Sequence, residues 1–321
     1  MATIAVIGSG AVGSYYGAML ARGGHDVRFL LRRDLEAVQQ RGFDIRSYQG
    51  DFRLEAVTAA GRPEDLGTVD WVVCSLKTTA LDEARALIEP CAEPDTRILA
   101  LMNGLGIEER FGEWFEPARV FGGMAFVGVN RGAPGVIHHL AYGRVSIGHL
   151  RDDPAELDSL RRLLESGGID VVASPNLRYA RWDKLCWNVP FNGLSVAAGG
   201  VGTHVIIGDR ELRATAERVM REVITIANAD LARAGSPARI GEEQQVRAMF
   251  QQTEVIGDYN TSMAIDYVLG RPLEVEAIHG ETVRRAGSLG VAAPALATLY
   301  AIVRAADRRR RGLMPAIPGE E

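Results

Sequence analysis

Cysteine is scarce in this chain: Cys74, Cys91 and Cys186 are the only three among 321 residues. They show no metal-binding spacing. A set so sparse and odd in number fits a reducing compartment, with the thiols as packing residues. Long apolar runs are missing as well. No stretch of about 18 apolar residues occurs, so no transmembrane helix is expected. The N-terminus reads as a strand without a basic n-region, so no secretory signal is expected either. Neither sign of charge dominates. Lys and Arg number 36 against 41 Asp and Glu, a formal net charge of −5, which gives no electrostatic case for nucleic acid or a membrane as partner. Of the six histidines, His138 and His139 are adjacent and would face opposite sides of a strand. A shared metal is therefore not expected. Repeats and low-complexity segments are absent. These absences describe a cytoplasmic, metal-free protein. A homodimer is allowed, although nothing in the sequence sets an assembly.

What is present is organised around the first seventeen residues. Thr3-Ile4-Ala5-Val6-Ile7 is a β-branched run suited to a buried parallel strand. It leads into Gly8-Ser9-Gly10-Ala11-Val12-Gly13 and then directly into a helical pattern. In a Gly-x-Gly-x-x-Gly turn the first glycine permits the tight bend. The second lets the backbone approach a pyrophosphate, and the third lets helix and strand pack closely. The phosphates would sit at the helix N-terminus, where unpaired N–H groups favour an anion. A second strand, His25 to Leu31, follows a Gly23-Gly24 helix stop. Beyond it an NAD-binding chain would place an acid on the ribose hydroxyls. Here Arg32-Arg33 stands instead. Guanidinium groups suit a 2′-phosphate, so NADP(H) is the expected cofactor. Asp34 follows and could take the acidic role, and both arginines could be ordinary solvated charges.

At 321 residues, with 47% hydrophobic, two domains are the natural expectation. Residues 2 to about 128 alternate strand and helix. Strands are expected at 3–7, 26–31, 70–75, 97–102 and 119–127, with helices at 35–42 and 81–91. Short extra strands could lie within 43–57. This alternation predicts an α/β fold, a Rossmann-type doubly wound sheet. Lys77 and the loop Asn103-Gly104-Leu105-Gly106 follow strand ends, where such sheets bind ligands. Glycine-separated runs at 124–129, 136–140 and 145–149 read as antiparallel additions to the sheet edge. A helix at 154–166 and a strand at 171–173 come next. The Ser174-Pro175-Asn176 turn then marks a boundary, giving domains 1–174 and 175–321. The second domain reads as all-helical, with helices at about 176–198, 209–234, 240–251, 274–290 and 294–308. The tail from Gly312 is expected to fray.

The first of those helices carries Lys184, Asn188 and Asn192 at i, i+4, i+8, and hence on one face. Their neighbours Leu185, Cys186, Trp187, Val189 and Phe191 are apolar. A polar stripe among such groups fits a cleft wall, since a lysine is costly to desolvate and amides need partners. A plain solvated stripe is the alternative. Pro190 within the pattern is expected to kink the helix. A lysine in a cleft suits proton donation to a ketone oxygen as hydride arrives, with its pKa lowered by partial burial. Asn260-Thr261-Ser262 fits a helix cap. Glu274 is either a favourable first-turn acid or a carboxylate that binds a substrate hydroxyl or orients Lys184.

Taken together, these residues resemble the ketopantoate reductase family. The resemblance is carried by Gly8 to Gly13, Asn103-Gly104-Leu105-Gly106, Lys184-Leu185-x-x-Asn188-x-x-x-Asn192, Ser262-Met263-x-x-Asp266 and Glu274. It covers essentially the whole chain, and the combination in this order is specific. It implies a Rossmann-type domain plus a helical domain with the site between them. It also implies NADPH-dependent reduction of a small 2-keto acid, 2-dehydropantoate to (R)-pantoate, a step of pantothenate biosynthesis. Arg32 then matches the 2′-phosphate contact, Lys77 a loop lysine near the cofactor, and Asn103 an amide serving cofactor and substrate. Lys184 matches the catalytic lysine. Asn188, Asn192 and Ser262 match substrate-binding groups, and Glu274 matches a carboxylate at the substrate hydroxyl. Two alternatives stay open: a related 2-ketoacid reductase or opine-type dehydrogenase, and a non-catalytic NADP-binding sensor.

Overall fold

Thr3–Ile7 forms β1, and every residue after Thr3 in it is buried. Apolar residues run without alternation because a strand inside a parallel sheet is covered on both faces. In the computed structural model, which describes residues 1–314, β1 pairs in parallel with β2 (Asp26–Leu30) on one side and β6 (Trp71–Cys74) on the other. Between β1 and β2 runs α1 (Ala11–Arg22). After β2 come α2 (Leu35–Arg41), β3 (Phe43–Ser47), β4 (Phe52–Leu54) and β5 (Thr58–Ala60). β6 is followed by α3 (Leu81–Ile88), β7 (Arg97–Leu101), α4 (Ile107–Trp114) and β8 (Val120–Arg131). The strands β5-β2-β1-β6-β7-β8 lie side by side and all parallel. The chain leaves β1 towards one side and returns on the other at β6, which is the doubly wound Rossmann-type arrangement expected. Its crevice lies beyond the carboxyl ends of β1 and β6.

The edge beyond β8 differs from expectation. The three glycine-separated runs form two long strands, β8 and β9 (Val136–His149), paired antiparallel with register shifts after Phe126 and Gly128. Such irregularities let a long hairpin bend without ending it. β9 then takes β3 as a parallel neighbour, and β4 follows at the edge. The extra strands expected within 43–57 are therefore present, but their place at β9 is set by long-range pairing. β5, at Thr58–Ala60, lies just outside that range. After α5 (Pro154–Ser166), β10 (Val171–Ala173) adds to β9 in parallel.

The second compact unit contains helices and no strand among the described residues. They are α6 (Leu177–Ala197), α7 (Thr203–Gly208), α8 (Arg210–Arg233), α9 (Glu242–Ile256), α10 (Ser262–Val268), a π-helical turn (Glu276–Gly280), α11 (Glu281–Leu289) and α12 (Pro294–Arg310). The helix expected from Glu274 to Gly290 is thus a π-turn running into α11, and α7 has no counterpart in the sequence reading. α6 continues through Pro190 without a break. The units divide as Met1–Met102 with Gly106–Ala180, and Asn103–Leu105 with the residues from Arg181 onward. The division falls inside α6, after the expected 174/175, because Leu177 and Ala180 are buried with Met124 of β8. The second unit has its own core. Trp182 is fully buried, and its indole N–H donates to Asp230 Oδ2 at 3.0 Å. Trp187 stacks on Phe191 with centroids 5.2 Å apart, and its N–H donates to Thr253. The tail beyond residue 314, part of the segment expected to fray, lies outside the described residues. No helix among the described residues is long and apolar enough to cross a membrane.

Candidate active site

The glycine loop after β1, in the first unit, is built by close approach. Gly8 has φ +91°, and a Cβ there would lie 2.5 Å from the Leu76 backbone nitrogen. At Gly13 a Cβ would meet the Gly8 carbonyl oxygen at 2.6 Å and press on Ser75 Oγ. The loops ending β1 and β6 are thereby pressed together, and Ser75 Oγ donates to the Gly8 carbonyl at 3.0 Å. Gly10 is different. A Cβ there would have nothing nearer than 3.9 Å, so its backbone borders open space. Gly10 is also the N-cap of α1. No side chain caps that helix, and no acid stands in its first turn. The leading N–H groups are left to an incoming anion. Ser9 is turned inward, its hydroxyl donating to the Val6 carbonyl at 3.3 Å. These features fit a dinucleotide pyrophosphate over Gly10, Ala11, Val12 and Gly13.

At the end of β2, Arg32 and Arg33 are exposed and enter no ion pair among the described residues. Asp34, next to them, is buried and paired with Arg131. Lys77 is exposed just past the end of β6. All these residues belong to the first unit.

The remaining candidates belong to the second unit. Lys184 is half-buried on α6. Desolvation is the main cause pulling its pKa from the ordinary lysine value down to about 8; Asp183 opposes the shift and Arg181 adds to it. The Asp183 carboxyl is itself pushed up by burial, although Gln245 donates to it at 2.7 Å. Further along the same face, Asn188 and Asn192 are buried, at 4% and 2% exposure. The stripe thus runs from a partly wet lysine to dry amides, which excludes the plain solvated face.

Two residues that sequence reasoning passed over complete this region. Ser195 continues the Lys184–Asn188–Asn192 spacing by three residues and is fully buried. That spacing could have found it. His279 lies in the π-turn, and its Nε2–H donates to the Val189 carbonyl at 2.9 Å, tying the turn to α6. Because a carbonyl only accepts, the proton is on Nε2. Burial holds the imidazole neutral, with its pKa pulled down to about 4. A lone histidine in a helical pattern carries no signal of this role. Asn192 Oδ1, Ser195 Oγ and His279 Nδ1 are buried without a hydrogen-bond partner among the described residues.

Two candidates distant in sequence are brought together. Asn103 Nδ2 donates to Glu274 Oε2 at 3.2 Å, and the Leu105 N–H donates to the Ala277 carbonyl at 3.0 Å. Gly104 permits this contact. It has φ +103°, and a Cβ there would sit 2.7 Å from Ala277 Cβ. Glu274 is therefore more than a first-turn acid, since its carboxylate is held by a side chain from the loop after β7. At α10 the cap is Thr261, whose hydroxyl accepts from the Ala264 N–H at 3.1 Å. Ser262 is exposed in the first turn and does not serve as the cap.

Comparisons with known proteins agree across the full chain. A family model described as ketopantoate reductase PanE/ApbA matches residues 4–152, and the model for the C-terminal part of that family matches residues 176–307. A 2-dehydropantoate 2-reductase of Nostoc sp. is 36% identical over 313 residues, covering 96% of both chains. Among solved structures, a 2-dehydropantoate 2-reductase from Geobacter metallireducens has a TM-score of 0.90 at 39% identity, covering 95% of this chain and 99% of that one. Another, from Methylococcus capsulatus, has a TM-score of 0.85 at 34% identity, with coverage of 96% and 97%.

Proposed function

Because the chain belongs to the ketopantoate reductase family, we propose that it reduces 2-dehydropantoate to (R)-pantoate with NADPH, using Lys184 as general acid. The relatives named above are called 2-dehydropantoate 2-reductases. When bound, NADPH supplies the hydride. The chain's own groups hold the reactants and move the proton. Gly8, Ser9, Gly10, Ala11, Val12 and Gly13 form the pyrophosphate cradle, Arg32 takes the 2′-phosphate, and Lys77 adds a positive charge near the cofactor.

Reduction of a ketone builds negative charge on its oxygen. An ammonium at hydrogen-bond distance stabilises that charge and then donates a proton to it. Lys184 suits this work because burial has brought its pKa to about 8: still largely charged at neutral pH, and acidic enough to give the proton up. Asn188, Asn192 and Ser262 supply polar groups for the substrate. Glu274 accepts from a substrate hydroxyl, and the Asn103 amide holds its carboxylate in place. The observation that carries this reading is the half-buried lysine, shifted into the working range on the helix face it shares with two buried amides.

Substitution Lys184→Ala tests it. Turnover of 2-dehydropantoate is expected to fall by about a hundred- to ten-thousandfold, the usual worth of a positioned acid. The NADPH dissociation constant should stay within a few-fold of its starting value. Stopped-flow NADPH oxidation and a fluorescence titration measure the two quantities. Near-normal turnover would remove the lysine from the mechanism.

A further inference from the structure

We propose that Arg131 sets the cofactor preference of this protein by occupying the carboxylate of Asp34. Left free, that carboxylate would repel the 2′-phosphate assigned to Arg32 and would serve a ribose hydroxyl instead. The proposal rests on that reading of Arg32.

In dinucleotide folds, an acid at the end of the second strand accepts from the ribose 2′-hydroxyl and so favours the unphosphorylated cofactor. In this chain the turn carries both kinds of group, Arg32 and Arg33 and then Asp34. The arginines are exposed and enter no ion pair among the described residues. Asp34 is the opposite case. Its side chain is only 9% exposed and forms both an ion pair and a hydrogen bond with Arg131, itself 29% exposed. Asp34 stands at the N-cap of α2 but makes no capping bond with its side chain. The local partner that an aspartate at this position usually takes is forgone for one 97 residues away.

Arg131 is delivered by a paired strand. It is the last residue of β8 and is paired with Ile137 of β9. The hairpin tip is closed by the Gly132 N–H to Val136 carbonyl bond at 2.9 Å and the Val136 N–H to Ala133 carbonyl bond at 2.8 Å. The tip is pinned to β3 by the Asp44 N–H, which donates to the Gly135 carbonyl at 2.9 Å. With Arg131 in place, Asp34 and Arg131 cancel, and the turn presents the two positive charges of Arg32 and Arg33. Removing Arg131 leaves a bare carboxylate beside them. That weakens attraction for a phosphate and supplies an acceptor for a ribose hydroxyl. Discrimination is a difference between two affinities, and loss of this pair lowers the one for NADPH without lowering the one for NADH.

The test uses the full chain as wild type, Arg131→Met, Asp34→Asn and the double variant. Dissociation constants for NADPH and NADH are measured by nicotinamide fluorescence, with thermal melts to check folding. Wild type is expected to prefer NADPH. Arg131→Met should weaken NADPH about tenfold, the effect of one uncompensated charge at close range, and leave NADH equal or tighter. Adding Asp34→Asn should restore most of the lost NADPH affinity. Asp34→Asn alone, which leaves the Arg131 charge uncompensated, should tighten NADPH a few-fold and keeps the proposal testable should Arg131→Met misfold. Equal weakening of both cofactors by Arg131→Met, or no recovery in the double variant, would overturn the proposal. So would looser NADPH binding by Asp34→Asn. A wild type that binds both cofactors equally overturns the reading of Arg32 and the proposal with it. A wild type that prefers NADPH, with Arg131→Met preferring it just as strongly, overturns the proposal alone.

Discussion

A lysine held near pH 8 donates protons only while it is still charged. Lys184 is brought there mainly by desolvation, and burial disfavours the charged form of a base. The protonated form is the working one in ketone reduction, so the sign is set. Turnover should be level from about pH 6 to 7.5 and then fall with a slope approaching tenfold per unit above about pH 8. Lys184→Arg, whose guanidinium stays charged throughout this range, should lose most of the turnover and also lose the alkaline limb. A kcat profile from pH 6 to 10 checks both. At this scale much was legible. Lys184, Asn188 and Asn192 could be placed on one face by helical spacing alone, because an α-helix repeats locally. The fate of Trp182 and Trp187 was not legible. They share that helix, yet both are turned into the core of the second unit. Only the packing of α8 and α9 against α6, through Asp230 and Thr253, decides which way an indole points.

Among the elements, α10 shows how a helix start separates structure from function. Asn260, Thr261 and Ser262 are all good capping residues, so composition alone cannot say which one caps. Backbone geometry selects Thr261, which is extended at φ −62°, ψ 152° and accepts from the Ala264 N–H. Thr261→Val should cost about 1 kcal/mol or somewhat more, the loss of a cap, read from urea unfolding. Ser262→Ala should leave stability within about 0.5 kcal/mol, as for an exposed position, while raising KM for the keto acid several-fold. If Ser262→Ala moves stability and leaves KM alone, Ser262 is not a substrate group. The π-turn after Glu274 is another element that spacing did not reveal. Such a turn inserts one residue into an otherwise helical register, and the apolar pattern of a helix hardly changes when it does. Its consequence is specific: His279 reaches the Val189 carbonyl, and Ala277 accepts from Leu105.

On the scale of the whole molecule, the cofactor candidates Gly8 to Gly13, Arg32 and Lys77 belong to one unit, and Lys184, Asn188, Asn192, Ser262 and Glu274 to the other. Asn103, with Gly104 and Leu105, groups with the second unit although the chain on either side of these three residues belongs to the first. A ligand that binds the folded state stabilises it by mass action. NADPH at about 100 times its dissociation constant should add about 2.7 kcal/mol, seen as a rise of several degrees in Tm. NADH at the same concentration should raise Tm less, because it lacks the phosphate that Arg32 is proposed to hold. Equal shifts would count against NADPH as the preferred cofactor.

The glycine loop after β1, the parallel half of the sheet and the polar stripe of α6 were determined by the sequence itself. The loop and the stripe are local, a strand, turn and helix within seventeen residues and a repeat along one helix, and the parallel sheet was legible from the alternation of strand and helix. Tertiary structure alone decided the pairings that bring distant residues together. Asn103 meets Glu274 across 171 positions, and Asp34 meets Arg131 across 97. The reason is physical. A helix or a glycine turn satisfies its own backbone from neighbours in the chain. A hairpin edge, or a carboxylate between two candidate partners, is satisfied by whatever the rest of the fold delivers, and residue types along one stretch carry no record of it.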